Sequence, residues 1–152
     1  MKTAIMVSVL GLTLIACAGP EGEAAIGTPE WDTALKVAES EHMVSSDCRD
    51  VGTKFKLLTD NEWKEQGLPS NIGGRTSEDG TQVYVRAEGF HGTYDDGTAW
   101  DYSVSFLLVH EFVHAILQCE GHDVVSSFHV GHIWDGLRTG DSEERFWKKM
   151  GE

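Results

Sequence analysis

Residues 102–118, YSVSFLLVHEFVHAILQ, form the longest strongly apolar run in the chain that keeps helical spacing. Val104, Leu108, Phe112 and Ala115 recur every three or four residues, and Phe106, Val109, Val113 and Ile116 widen that stripe. A helix apolar on most of its sides has to lie at the centre of a fold. Ahead of it, Thr98-Ala99-Trp100-Asp101 reads as a capping box, and Gly121 reads as its stop. The expected helix therefore spans residues 98–119.

Two imidazoles and one carboxylate interrupt the run: His110, His114 and Glu111. Imidazoles four residues apart project from one helix face, one turn from each other. That spacing suits two corners of a zinc tetrahedron, with Zn–N distances near 2.0–2.1 Å. Glu111 follows the first ligand, close enough to touch a metal-bound water without being a ligand. Zinc lowers the pKa of such a water to about 7, and a neighbouring carboxylate can take its proton as a carbonyl is attacked. His-Glu-x-x-His is expected by chance only about 0.03 times in a chain of this composition, and it carries weight only on a helix. Two core histidines and a carboxylate with no strong partner would be costly to bury here.

Outward from this helix, the remaining pattern is that of a small α+β domain. Thr28-Pro29-Glu30 opens a helix running to about Met43, with Trp31, Leu35, Val37 and Ala38 apolar. Residues 54–59 (KFKLLT) and 81–87 (TQVYVRA) read as strands, and the second has the clearest alternation. Asn61 to Gln66 reads as a helical turn, and the stretches 70–80 and 89–97 as loops. Asp141-x-x-Glu144 caps a short terminal helix. The expected fold is a small twisted sheet from 54–59 and 81–87 packed on the central helix, with helices flanking a cleft.

The chain has 152 residues, enough for one domain, and a formal net charge of −13. That charge disfavours nucleic-acid phosphates and anionic lipid surfaces as partners. Met1-Lys2 followed by the apolar residues 4–15 has the form of a signal peptide, too short to span a bilayer. Cys48 and Cys119 leave two readings, one disulfide or two buried thiols. The even number in an exported chain favours the disulfide, with a stabilisation of about 3–4 kcal/mol.

Two resemblances sharpen this picture. Leu14-Ile15-Ala16-Cys17 resembles the lipobox of bacterial lipoproteins. It implies a signal peptide over residues 1–16, a lipid anchor at Cys17, a flexible tether over 17–28 and a domain over 29–152. By the same likeness, Ala18 after the cysteine implies the outer membrane of a bacterial envelope. His110-Glu111-Phe112-Val113-His114 resembles the motif of the zincin metallopeptidases, which implies Zn²⁺ as cofactor, Glu111 as catalytic base and a peptide or protein as substrate. In zincins a strand before the motif helix lines the cleft and pairs with extended substrate, a place that Gln82–Arg86 takes here in chain order.

The third ligand of that family lies downstream, and the named branches do not fit. Where metzincins carry Gly and His, this chain has Leu117 and Glu120. A thermolysin-like branch would need a downstream Glu, and those beyond 120 are Glu143, Glu144 and Glu152. The candidates nearer the motif are Glu120, His122, Asp123, His129, His132 and Asp135. Glu120 stands about 9 Å along the helix axis from His114. The run through His132-Ile133-Trp134 is similar to small bacterial lipoproteins with a zincin core, where a histidine just before a Trp completes the site. That likeness implies His132 as third ligand, with His129 next and Asp123 as partner of a ligand imidazole. A leftover His or Arg138 would stabilise an oxyanion, and residues 89–93 could rim the cleft. The alternative function is a surface lipoprotein that binds zinc without hydrolysis, as a structural or metal-capture site.

Overall fold

The computed structural model describes residues 22–93, 97, 99–122, 136–137 and 142–151. Among them run, in order, β1 (Glu23–Ala24), α1 (Pro29–Glu39), α2 (Ser46–Arg49), β2 (Lys54–Leu58), α3 (Asp60–Glu65), β3 (Gly74–Thr76), β4 (Gln82–Arg86), β5 (Phe90–Thr93), β6 (Ala99–Tyr102), α4 (Val104–Cys119) and α5 (Glu143–Met150). The class is mixed α+β, as expected. No helix among the described residues is long and apolar enough to cross a membrane.

The apolar run becomes α4, with Phe112 and Val113 fully buried. Phe112 takes the edge of Trp31 from α1 on one side, with ring centres 5.4 Å apart, and Phe55 from β2 on the other at 5.8 Å. The helix therefore lies between α1 and a four-stranded sheet ordered β1-β2-β4-β3. In that sheet β2 and β4 pair in parallel, and β1 and β3 add antiparallel edges. Val83 and Val85 of β4 turn inward and are fully buried.

Several boundaries differ from the sequence reading. Residues 99–102 are not the start of α4 but strand β6, paired with β5 in a hairpin across the span read as a loop. Ring stacking supplies the reason: Phe90, Trp100, Tyr102 and Phe106 form a continuous ladder from the hairpin to α4. The cap of α4 is Ser103, whose hydroxyl accepts from the Phe106 N–H at 3.2 Å. The N3 residue here is Phe106, so no local acid can close the box. Glu143 of α5 closes it instead, accepting from the Ser103 N–H at 2.7 Å and its hydroxyl at 2.6 Å. The cap of α5 is Ser142, and Asp141 lies outside the described residues. Helix α1 stops at Glu39, short of Met43. The span read as tether enters the fold at Glu23: β1 pairs with β2, and Ala25 is fully buried. Residues 1–21, Cys17 included, lie outside the described residues.

The far end of α4 is fixed by three devices. Gly121, at φ 75°, lets the Gly121 and His122 N–H groups bond back to the carbonyls of Gln118 and Leu117. Cys119 is bonded to Cys48 of α2, with Cα atoms 5.5 Å apart across 71 residues of chain. Glu120 accepts from the N–H and hydroxyl of Ser45, the cap of α2. Opening the disulfide restores the entropy of a 71-residue loop to the unfolded chain. Cys48→Ser should accordingly lower the unfolding free energy by about 4 kcal/mol, read from guanidinium titrations of variant and parent.

Candidate metal centre

Successive turns of α4 place His110 and His114 side by side, with their Nε2 atoms 3.2 Å apart. Tetrahedral Zn–N bonds of about 2.0–2.1 Å would separate two ligand nitrogens by about 3.3–3.4 Å, so the spacing fits a zinc edge. The tautomer of His110 is set by Leu137, whose carbonyl lies 2.7 Å from Nδ1. A carbonyl only accepts, so Nδ1 carries the proton and Nε2 presents its lone pair toward His114. Two imidazole nitrogens this close need a proton or a cation between them. A shared proton satisfies the pair as it stands, and the same two nitrogens fit one edge of a zinc tetrahedron.

Glu111 points to a different neighbour, the edge strand β3. It is 6% exposed, and the Thr76 hydroxyl donates to its Oε2 at 2.7 Å while lying 3.0 Å from its backbone carbonyl. Gly74 makes the approach possible. A Cβ there would stand 2.6 Å from both Cγ and Oε1 of Glu111, closer than any real contact. Burial pushes the Glu111 carboxyl up to about 7 from an ordinary 4.5, against the pull of the Thr76 hydrogen bonds and the Arg75 charge. Thr76, Gly74 and Arg75 escaped the sequence reading because GRT is too short and too glycine-rich to show strand alternation.

The expected cleft strand is corrected. Gln82–Arg86 is paired on both sides, to β2 and to β3, so it has no edge to offer. The edge nearest Glu111 belongs to β3. Its ladder with β4 is hydrogen-bonded at Gly73–Arg86 and at Ser77–Gln82. Antiparallel alternation then puts Arg75–Tyr84 in a bonded pair and turns the N–H and C=O groups of Gly74 and Thr76 outward. No other described strand pairs with that side of β3.

Among the third-ligand candidates, two are placed away from the histidine pair. Glu120 is engaged with Ser45, and His122 stacks on His42 with ring centres 4.2 Å apart. His91 is exposed on β5, opposite Asp101. Asp123, His129, His132, Asp135 and Arg138 lie outside the described residues. Among the described residues no group of three or more His, Cys, Asp or Glu side chains could hold a metal.

The chain matches no known family in a comparison with family models, no curated protein sequence and no solved structure.

A carboxyl whose folded pKa lies above its unfolded value contributes its stability below pH 4.5 and loses it as pH rises through about 7. The metal-free chain should thus lose about 3 kcal/mol from this group between pH 4 and pH 9. Denaturant titrations across that range should show the loss in the parent and its disappearance in Glu111→Gln.

Proposed function

We propose that the chain is a zinc-dependent hydrolase of the zincin type, cleaving peptide bonds, with His110 and His114 as ligands and Glu111 as the catalytic base. The observation that carries this reading is a pair of imidazole nitrogens 3.2 Å apart on the helix that also buries Glu111, the residue next to the first of them in the chain. A structural site has no use for an acid in that place, and a buried acid poised near neutrality is suited to moving a proton.

Each residue then has a definable task. Thr76 occupies Oε2 of Glu111, leaving Oε1, against the Cα of Gly74, to take and return a proton. Leu137 holds the His110 ring in the tautomer that turns Nε2 to the site. The outward backbone groups of Gly74 and Thr76 would align an extended peptide by strand addition, next to the base. Zinc, when bound, supplies Lewis acidity that acidifies water and polarises a carbonyl. The third ligand is proposed as His132, and Leu137, five residues later, brings the chain back to His110.

The test separates binding from chemistry. His110→Ala, His114→Ala and His132→Ala should each lose stoichiometric zinc after dialysis against a mild chelator, and their melting temperatures should fall together. Glu111→Gln should keep its zinc and lose at least about 100-fold in peptide turnover. Full zinc content in the parent with no cleavage of any peptide library would make the protein a zinc binder instead of a hydrolase.

Export as a lipoprotein anchored through Cys17 belongs to the same proposal. Cys17→Ser should move the protein from the detergent phase to the aqueous phase in a phase-separation assay. Unchanged partition would remove the anchor.

A further inference from the structure

The sheet that carries β3 has two unlike faces. Val83 and Val85 face α4, so their alternates on β4 point the other way. The register sets Lys56, Tyr84 and Arg75 abreast on β2, β4 and β3, with Lys54 beside Gln82. None of the five is buried. Three cations thus share one face of a chain whose net charge is −13. Lys56 lies within electrostatic reach of Glu62. Arg86, farther along the sheet, is committed to Asp60 and to the carbonyls of Ser70 and Ile72. Arg75 is exposed, and its side chain makes no hydrogen bond or ion pair among the described residues, its charge being felt only at a distance by the Glu111 carboxyl.

Arg75 also stands at the edge of β3 that no other described strand covers, between the two residues whose backbone groups point outward. An extended peptide added antiparallel there would bond to Gly74 and Thr76. Directly opposite Arg75 it would place a residue in a non-hydrogen-bonded pair, with Cα atoms about 4.5 Å apart and side chains at their closest. Both side chains would lie on the cationic face. Opposite charges in such a pair are stabilising and like charges destabilising, and the guanidinium fork matches a carboxylate in two parallel hydrogen bonds. The chain's overall negative charge is screened beyond about 8 Å at physiological salt, so the local sign decides.

We propose that Arg75 is a specificity-determining residue that selects an Asp or Glu side chain at the substrate position lying opposite it on the β3 edge. This rests on the peptide-cleaving reading above.

Binding without turnover tests it. The full-length Glu111→Gln chain would be titrated into fluorescein-labelled peptide libraries with Glu, Gln or Lys fixed at one position at a time, and anisotropy recorded. At one position the Glu library should bind about tenfold tighter than the Gln library, with Lys weakest. Arg75→Gln, made in the same background, should bring Glu and Gln within about twofold of each other. Arg75→Lys should retain part of the preference, and Arg75→Glu should turn it toward Lys. A Glu-to-Gln ratio unchanged in Arg75→Gln, or a preference of the parent for Lys, overturns the proposal. Binding with no charge preference leaves peptide recognition standing and removes the role of Arg75. Absence of binding by every library, at every position, removes both.

Discussion

A helix buried on nearly every side has to carry two imidazoles and a carboxylate within five residues, and the structure is arranged around that constraint. Water cannot solvate Glu111, so the fold brings the Thr76 hydroxyl to one of its oxygens and removes a side chain at position 74 to admit the other. Water is also replaced at His110, where the Leu137 carbonyl accepts a hydrogen bond from the Nδ1–H. The same burial that makes Glu111 expensive shifts its titration. A carboxyl in water would be fully ionised at neutral pH, whereas this one is held near 7.

Helix α4 is held at both ends, each tied to a distant part of the chain. Glu143 reaches across 40 residues to complete the Ser103 cap, and its Oε1 also accepts the Trp147 indole N–H. At the other end the Cys48–Cys119 bond and the Glu120–Ser45 contacts couple α4 to α2. Capping carboxylates normally come from three residues downstream on the same helix. Here the positions that a local box would use are taken by the buried Phe106 in α4 and Cys48 in α2, and acids far along the chain fill the role. Between these ends, Phe112 is gripped by Trp31 and Phe55, which sets the rotation of the helix and hence where each polar residue faces.

The sheet contributes more than support. Its inner face is aliphatic and aromatic, while its outer face carries Lys54, Lys56 and Arg75 in a strongly acidic chain. Net charge sums over all surfaces and is blind to such segregation. The acidity of the whole chain therefore says little about what the edge beside Glu111 meets.

The sequence by itself determined those features that rest on contacts within a few residues. The Thr28–Pro29 start of α1, strands β2 and β4, the apolar stripe of α4 and the shared face of His110 and His114 all follow from local periodicity. The start of α4 was misread because Thr98 and Asp101 imitate a capping box, while ring stacking draws residues 99–102 into a hairpin. Only the tertiary structure decided which strand meets Glu111, that Thr76 holds it, and that Glu120 serves Ser45 instead of the histidine pair. Thr76 lies 35 residues from Glu111, and Glu120 lies 75 from Ser45. A three-residue strand has no period to read, and a carboxylate carries no mark of its partner until packing brings the two together.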